Sequence, residues 1–131
     1  MLFVDASALV AIIVGEPDRD ELLERLALDE HGLWSAMSCW ETVSSLRRAR
    51  DIPPAAARRE AEQAAGDLGL KLVDVGSVEL KLAFDAYEHF GRNSRHPAKL
   101  NMGDCFAYAC AKANGARLLY KGNDFTHTDL A

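Results

Sequence analysis

Apolar and polar positions fall along this chain in blocks that switch between two periods. The opening run, Met1 to Val4, is wholly apolar and stops at Asp5, the pattern of a central strand covered on both faces. Residues 6–14 are rich in alanine, leucine and isoleucine and predict a helix packed on that strand. Gly15-Glu16-Pro17 ends it, and Pro17 suits the first turn of a second helix whose Leu22, Leu23, Leu26 and Leu28 follow helical spacing. Residues 33–36 predict a short strand, after which Ser38 opens a helix carrying Val43 and Leu46 and a basic tail of Arg47, Arg48 and Arg50. Asp51-Ile52-Pro53-Pro54 is a break. Residues 55–65 predict a helix, residues 70–75 a strand, and Ser77 caps a helix running to Phe90. Residues 91–100 are polar, basic and contain proline, and predict a loop. Asn101 caps a helix to Asn114 that Gly115 ends, residues 116–120 form the last strand, and Lys121-Gly122-Asn123-Asp124 is turn chemistry beyond it.

Strands that alternate with helices, over connections long enough for crossovers, predict an α/β fold with a mostly parallel central sheet flanked by helices. Its 131 residues fit one domain, expected to span residues 1–131, and 49% hydrophobic content is enough for a core. A net charge of −5 argues against a protein that coats nucleic acid passively. It leaves a nuclease open, because a metal site needs carboxylates and a bound cation bridges protein acid to phosphate. Three cysteines (Cys39, Cys105 and Cys110) without a CxxC pair predict free thiols in a reducing compartment. His31, His89, His96 and His127 form no zinc-ligand spacing. The apolar N-terminal run lacks a basic flank, contains Asp5 and is too short to span a bilayer. A cytoplasmic protein with no membrane partner is the expectation.

In open parallel sheets, sites form at the carboxyl ends of the strands. Asp5 follows the first strand and Asp124 the last, while Glu41 and Asp104 lie in expected first helical turns. Helices that follow strands begin on the same side of the sheet, so all four acids can converge there. Four uncompensated carboxylates repel one another, and a divalent cation such as Mg²⁺ relieves that. Each acid also has a structural reading. Asp5 suits an Asx-turn, Glu41 completes a capping box with Ser38, Asp104 does the same with Asn101, and Asp124 is a turn residue. Their joint placement carries the functional reading. Ser7, Asn101 and Thr126 are polar candidates of lower weight, and Ser7 also suits a helix cap.

Three segments resemble a known family. Phe3-Val4-Asp5-Ala6-Ser7-Ala8-Leu9 resembles the opening of PIN-domain toxins of the VapC type. Leu100-Asn101-Met102-Gly103-Asp104-Cys105-Phe106-Ala107-Tyr108-Ala109 closely resembles their second motif, and Leu118 to Phe125 with Thr128-Asp129 resembles their closing one. The resemblance implies a single PIN-like domain and Mg²⁺-dependent cleavage of RNA, with Mn²⁺ as a substitute. It places the family's four acids on Asp5, Glu41, Asp104 and Asp124. Asp5, Asp104 and Asp124 would hold the metal directly or through water, and Glu41 would position it or accept a proton. Ser7, Asn101 and Lys121 would support them. Asn123 stands where many relatives carry a further acid.

The resemblance also implies a toxin held in check by a cognate antitoxin, and a homodimer. Candidate RNA contacts are Arg47, Arg48 and Arg50, the loop bases Arg92, Arg95, His96 and Lys99, and Lys121, which can instead pair with an acid. Leu33, Trp34, Trp40 and the leucines of the second helix are candidates for an antitoxin groove, although residue by residue such side chains are more often core. Three competing readings remain. A receiver- or phosphatase-like domain wants a second acid near Asp5, where Ala6 and Ser7 stand; a dinucleotide-binding domain wants glycines in that turn. A non-catalytic PIN-like module predicts missing acids, and all four are present.

Overall fold

A computed structural model describes residues 1–131. The elements are β1 (Leu2–Val4), α1 (Ala6–Val14), α2 (Arg19–Ala27), β2 (Gly32–Ser35), α3 (Ala36–Arg50), α4 (Pro54–Asp67), β3 (Lys71–Val73), α5 (Ser77–Phe90), α6 (Met102–Ala113) and β4 (Arg117–Leu119). The four strands lie in the order β3-β2-β1-β4 and every pairing is parallel. The first strand is therefore central, as its apolar run requires.

Alternation along the strands divides the core. Leu2, Val4, Trp34 and Leu119 are buried on one side with residues of α1, α2 and α4. Phe3, Leu33 and Leu118 are buried on the other with residues of α5 and α6. Successive strand side chains point to opposite faces, so a three-residue strand such as β1 serves both layers. A third cluster, Leu46 with Ala57 and Ala61, joins α3 to α4. The small alanines allow these two helices to approach closely.

Several boundaries differ from the sequence expectation. α3 is capped by Ser35, not opened by Ser38. Ser35 Oγ accepts from the Ser38 amide (3.2 Å), and the Ser35 amide donates to Ser38 Oγ (2.7 Å). Glu41 therefore stands in the second turn and takes no part in a capping box. Pro17 lies in a turn before α2, which Asp18 precedes. Gly76 occupies the cap position expected of Ser77, because the Glu79 carboxylate accepts the Gly76 amide. β3 is shorter than expected and is an edge strand with Leu72 exposed. Leu22, Leu26, Leu33 and Trp34 are core and cannot line a groove, whereas Trp40 is 75% exposed.

The segment after β4 is held by Phe125, which is fully buried and packs edge-on against Tyr120 at 5.2 Å between ring centroids. Asp129 accepts from Tyr108 Oη (2.6 Å) and pairs with Lys112. Phe125→Ala should lower unfolding free energy by about 3 to 5 kcal/mol, the usual range for removing a buried aromatic ring. A urea denaturation curve checks it, and an unchanged midpoint would contradict the anchoring role.

Candidate active site

Asp5 is the N-cap of α1. Its backbone is extended, and its Oδ2 accepts both the Ser7 amide (3.1 Å) and the Ser7 hydroxyl (2.6 Å). The Ser7 hydroxyl in turn accepts the Lys121 amide (3.0 Å). This hydrogen-bonded chain fixes the carboxylate against the exit of β4, whose Leu119 carbonyl also accepts the Asp5 amide (2.9 Å). Asp5 itself is the cap, so Ser7 acts as its partner.

Asp104 is the third residue of α6. Its amide donates to Asn101 Oδ1 (2.8 Å) and its Oδ2 accepts the Asn101 amide (3.0 Å), a reciprocal capping box as the sequence predicts. α6 is joined to β4 by a short turn, so it runs back along the sheet and starts at the carboxyl end. Cap and acid are thus compatible roles: one carboxylate oxygen serves the backbone and Oδ1 has no hydrogen bond.

Glu41 projects from the second turn of α3 toward α6. It makes no hydrogen bond or ion pair, and its carboxylate lies in the space in front of Gly103. Asp124 is exposed, on the turn beyond β4. The acids sense one another. Burial, then the charges of Asp5 and Asp104, raise the Glu41 carboxyl to about 7. Burial raises Asp104 to about 6 against the help of its backbone bond, with Asp124 and Asp5 adding to the rise. Asp5 is also raised, chiefly by burial, with a contribution from Asp124. None of the four is in a salt bridge.

The basic candidates separate. Lys121 Nζ pairs with Glu16 and lies 3.5 Å from Asp18, so it is drawn to the connection between α1 and α2. Its amide, not its ammonium, supports the site. Arg92 is near enough for its charge to lower the Asp104 carboxyl. Arg48 lines a recess of about 310 Å³ together with Glu41, Ser44, Trp40 and Gly103. Arg50 is bound to Glu60 (3.0 Å), Lys99 to the Ser94 carbonyl, and His96 to the Ala98 amide. Thr126 is exposed. Sequence reasoning missed Gly103; the signal was a glycine inside a helix beside an acid.

As the side chains stand, no group of three or more His, Cys, Asp or Glu residues is placed to hold a metal ion. An open set of carboxylates fits a hydrated ion better, since Mg²⁺ keeps several waters and takes few protein ligands. The donor set is all oxygen, partly buried and without an ion pair, which suits a hard divalent cation.

The PIN domain profile matches residues 2–130 of the sequence. The chain belongs to the PIN-domain family. Among similar PIN proteins are ribonuclease VapC42 of Mycobacterium tuberculosis, 38% identical over 129 residues, covering 98% of this chain and 96% of that one. A VapC ribonuclease of Rhizobium meliloti is 40% identical over 141 residues, covering 99% of each. The crystal structure of Mycobacterium tuberculosis VapC20, described as a sarcin–ricin loop cleaving toxin, superposes with a TM-score of 0.70 at 18% identity, over 100% of this chain and 97% of that one. At that identity the likeness is one of PIN fold.

The raised carboxyls fix a pH dependence. The folded protein holds the Glu41 proton more tightly than the unfolded chain does. In the chain free of divalent cation, the Glu41 contribution to stability should therefore be fully present below about pH 4.5 and be lost as pH rises through about 7. A fully buried group with that shift would contribute about 3 kcal/mol; this half-buried one, screened by water, should contribute about 1 to 2 kcal/mol. Thermal melts in EDTA from pH 4.5 to 8 check it. Glu41→Gln should flatten the decline, and an equally steep decline in that variant would refute the assignment.

Proposed function

We propose that Asp5, Glu41, Asp104 and Asp124 hold a hydrated divalent cation, Mg²⁺ or Mn²⁺, and that this chain, a PIN-domain ribonuclease of the VapC kind, hydrolyses RNA phosphodiester bonds there. The observation that carries the site is the gathering of four carboxylates, two of them raised to about 6 and about 7, without one salt bridge among them. A fold that leaves such charge unpaired has room for a cation to pair it.

The cation, when bound, supplies positive charge against the phosphate and makes a neighbouring water more acidic. Asp5 and Asp104 are held rigidly by their helix N-termini, so their free oxygens are pre-positioned. Asp124, exposed at the rim, completes the set from the strand exit. Glu41, raised to about 7 in the metal-free chain by burial and the charges of Asp5 and Asp104, would help position the cation or accept a proton. Arg92, whose charge reaches Asp104, and Arg48, which shares a recess with Glu41, are candidates to meet phosphates of the bound strand. Hydrolysis of this kind does not use the 2′-hydroxyl, so a choice of RNA over DNA comes from contacts outside the acids.

The same reading makes the chain the toxin of a toxin–antitoxin pair, restrained by a cognate antitoxin, and puts its work in the cytoplasm with its RNA. No helix is long and apolar enough to cross a membrane. The proposal extends to a homodimer. Val78, Leu80, Phe84 and Tyr87 of α5 are exposed together with Met102, and α5 and α6 border an apolar groove of about 600 Å³. Such a patch on a small domain suits association.

Two experiments test these readings. Purified protein incubated with cellular RNA should give discrete fragments with Mg²⁺ or Mn²⁺ and none with EDTA. Asp5→Asn and Asp104→Asn should each lower the rate by about 100-fold or more; cleavage that survives EDTA or both changes would overturn the metal site. Light scattering after size exclusion should give a dimer mass for the native chain and a monomer mass for Phe84→Asp, and a monomeric native chain would remove the dimer.

A further inference from the structure

Gly103 is the second residue of α6 and is buried. Its backbone is helical, with no positive φ, so the conformational freedom of glycine is not needed there. Glycine is a poor helix residue. Space is the remaining reason for it. A Cβ on Gly103 would lie 2.6 Å from Glu41 Cδ and 2.7 Å from Glu41 Oε1, inside van der Waals contact with both. Glu41 has no hydrogen bond or ion pair to hold it, and its carboxylate rests in the space that the missing Gly103 side chain leaves on α6. That resting place is the first turn of a helix, where negative charge is favoured, and it is one residue from Asp104.

We infer that Gly103 is a positioning residue: the space left by its missing side chain seats the Glu41 carboxylate beside Asp104, and so sets the spacing between the acid of α3 and the acid of α6. The inference rests on the four-acid reading above. Its consequence is specific. A methyl group at position 103 displaces only the far end of a flexible side chain, so the protein keeps its fold. The helix itself gains from the change. What is lost is the placement of one acid.

The test uses the full chain as native protein, Gly103→Ala, Glu41→Ala, the double variant, and Gly103→Ala combined with Glu41→Asp. Each is followed by thermal melting, by calorimetric titration with Mn²⁺, and by RNA cleavage. Gly103→Ala should melt no more than about 3 °C below native. It should weaken Mn²⁺ binding and slow cleavage by the same factor as Glu41→Ala, about 10- to 100-fold. Added to Glu41→Ala it should change neither further, because the group it displaces is gone. The shorter Glu41→Asp side chain should recover part of the Mn²⁺ affinity that Gly103→Ala removes. Should Gly103→Ala alone fail to melt cooperatively, a cooperative melt of the double variant with Glu41→Ala still supports the clash, and loss of folding in both overturns it. Native-like Mn²⁺ binding in Gly103→Ala, beside a defective Glu41→Ala, refutes the seating role alone, as does an equal further loss in the double variant. A Glu41→Ala protein indistinguishable from native refutes the four-acid reading itself.

Discussion

Everything at the carboxyl edge of this sheet follows from the burial of carboxylates that the fold holds within reach of one another, with their mutual repulsion adding to its effect. Water would normally screen such charges, and the surrounding apolar packing removes much of it. Two devices make the arrangement tolerable. Asp5 and Asp104 each stand at a helix N-terminus, where backbone amides and the helix dipole favour negative charge. The remaining strain appears as proton affinity: Asp104 and Glu41 hold protons at pH values where ordinary carboxyls have lost them. Protons thus neutralise part of this charge in the free chain, and the proposed cation would take their place.

The core carries almost none of this tension. Phe3, Leu33 and Leu118 pack on one face of the sheet, and Leu2, Val4, Trp34 and Leu119 on the other. These clusters hold the strands in register, and the acids emerge only where the strands end. The separation lets charge accumulate at one rim while the apolar layers set stability. Lys121 illustrates the division, since its amide braces Ser7 while its ammonium ties Glu16 and Asp18 away from the acids.

Asp5 and Asp104 were legible in the sequence because their roles are local: a carboxylate after an apolar run, and an acid three residues beyond an asparagine cap. The layer architecture was legible for the same reason, since period and turn chemistry are written residue by residue. Glu41 was legible as a candidate acid but not in its setting. Ser35 and Ser38 make a capping box whose partner is another serine, and the glutamate three residues past Ser38 looked like the better partner. Which leucines and tryptophans are core depends on neighbours far along the chain, so Trp34 and Trp40 looked alike and proved opposite. The seat at Gly103 joins two helices widely separated in sequence; the glycine beside Asp104 was a local signal, but nothing local names Glu41 as what it seats.

β1 and β4 are neighbours in the sheet although they come from opposite regions of the chain. Asp5 and Asp124 therefore meet only after that distant pairing has closed, and pairings of such span form late and slowly. A partly folded chain, with α1 to α4 already packed, would own two of the acids and none of their geometry. On the four-acid proposal, nuclease competence is a property of the finished topology: such a chain could not cut before its sheet is complete.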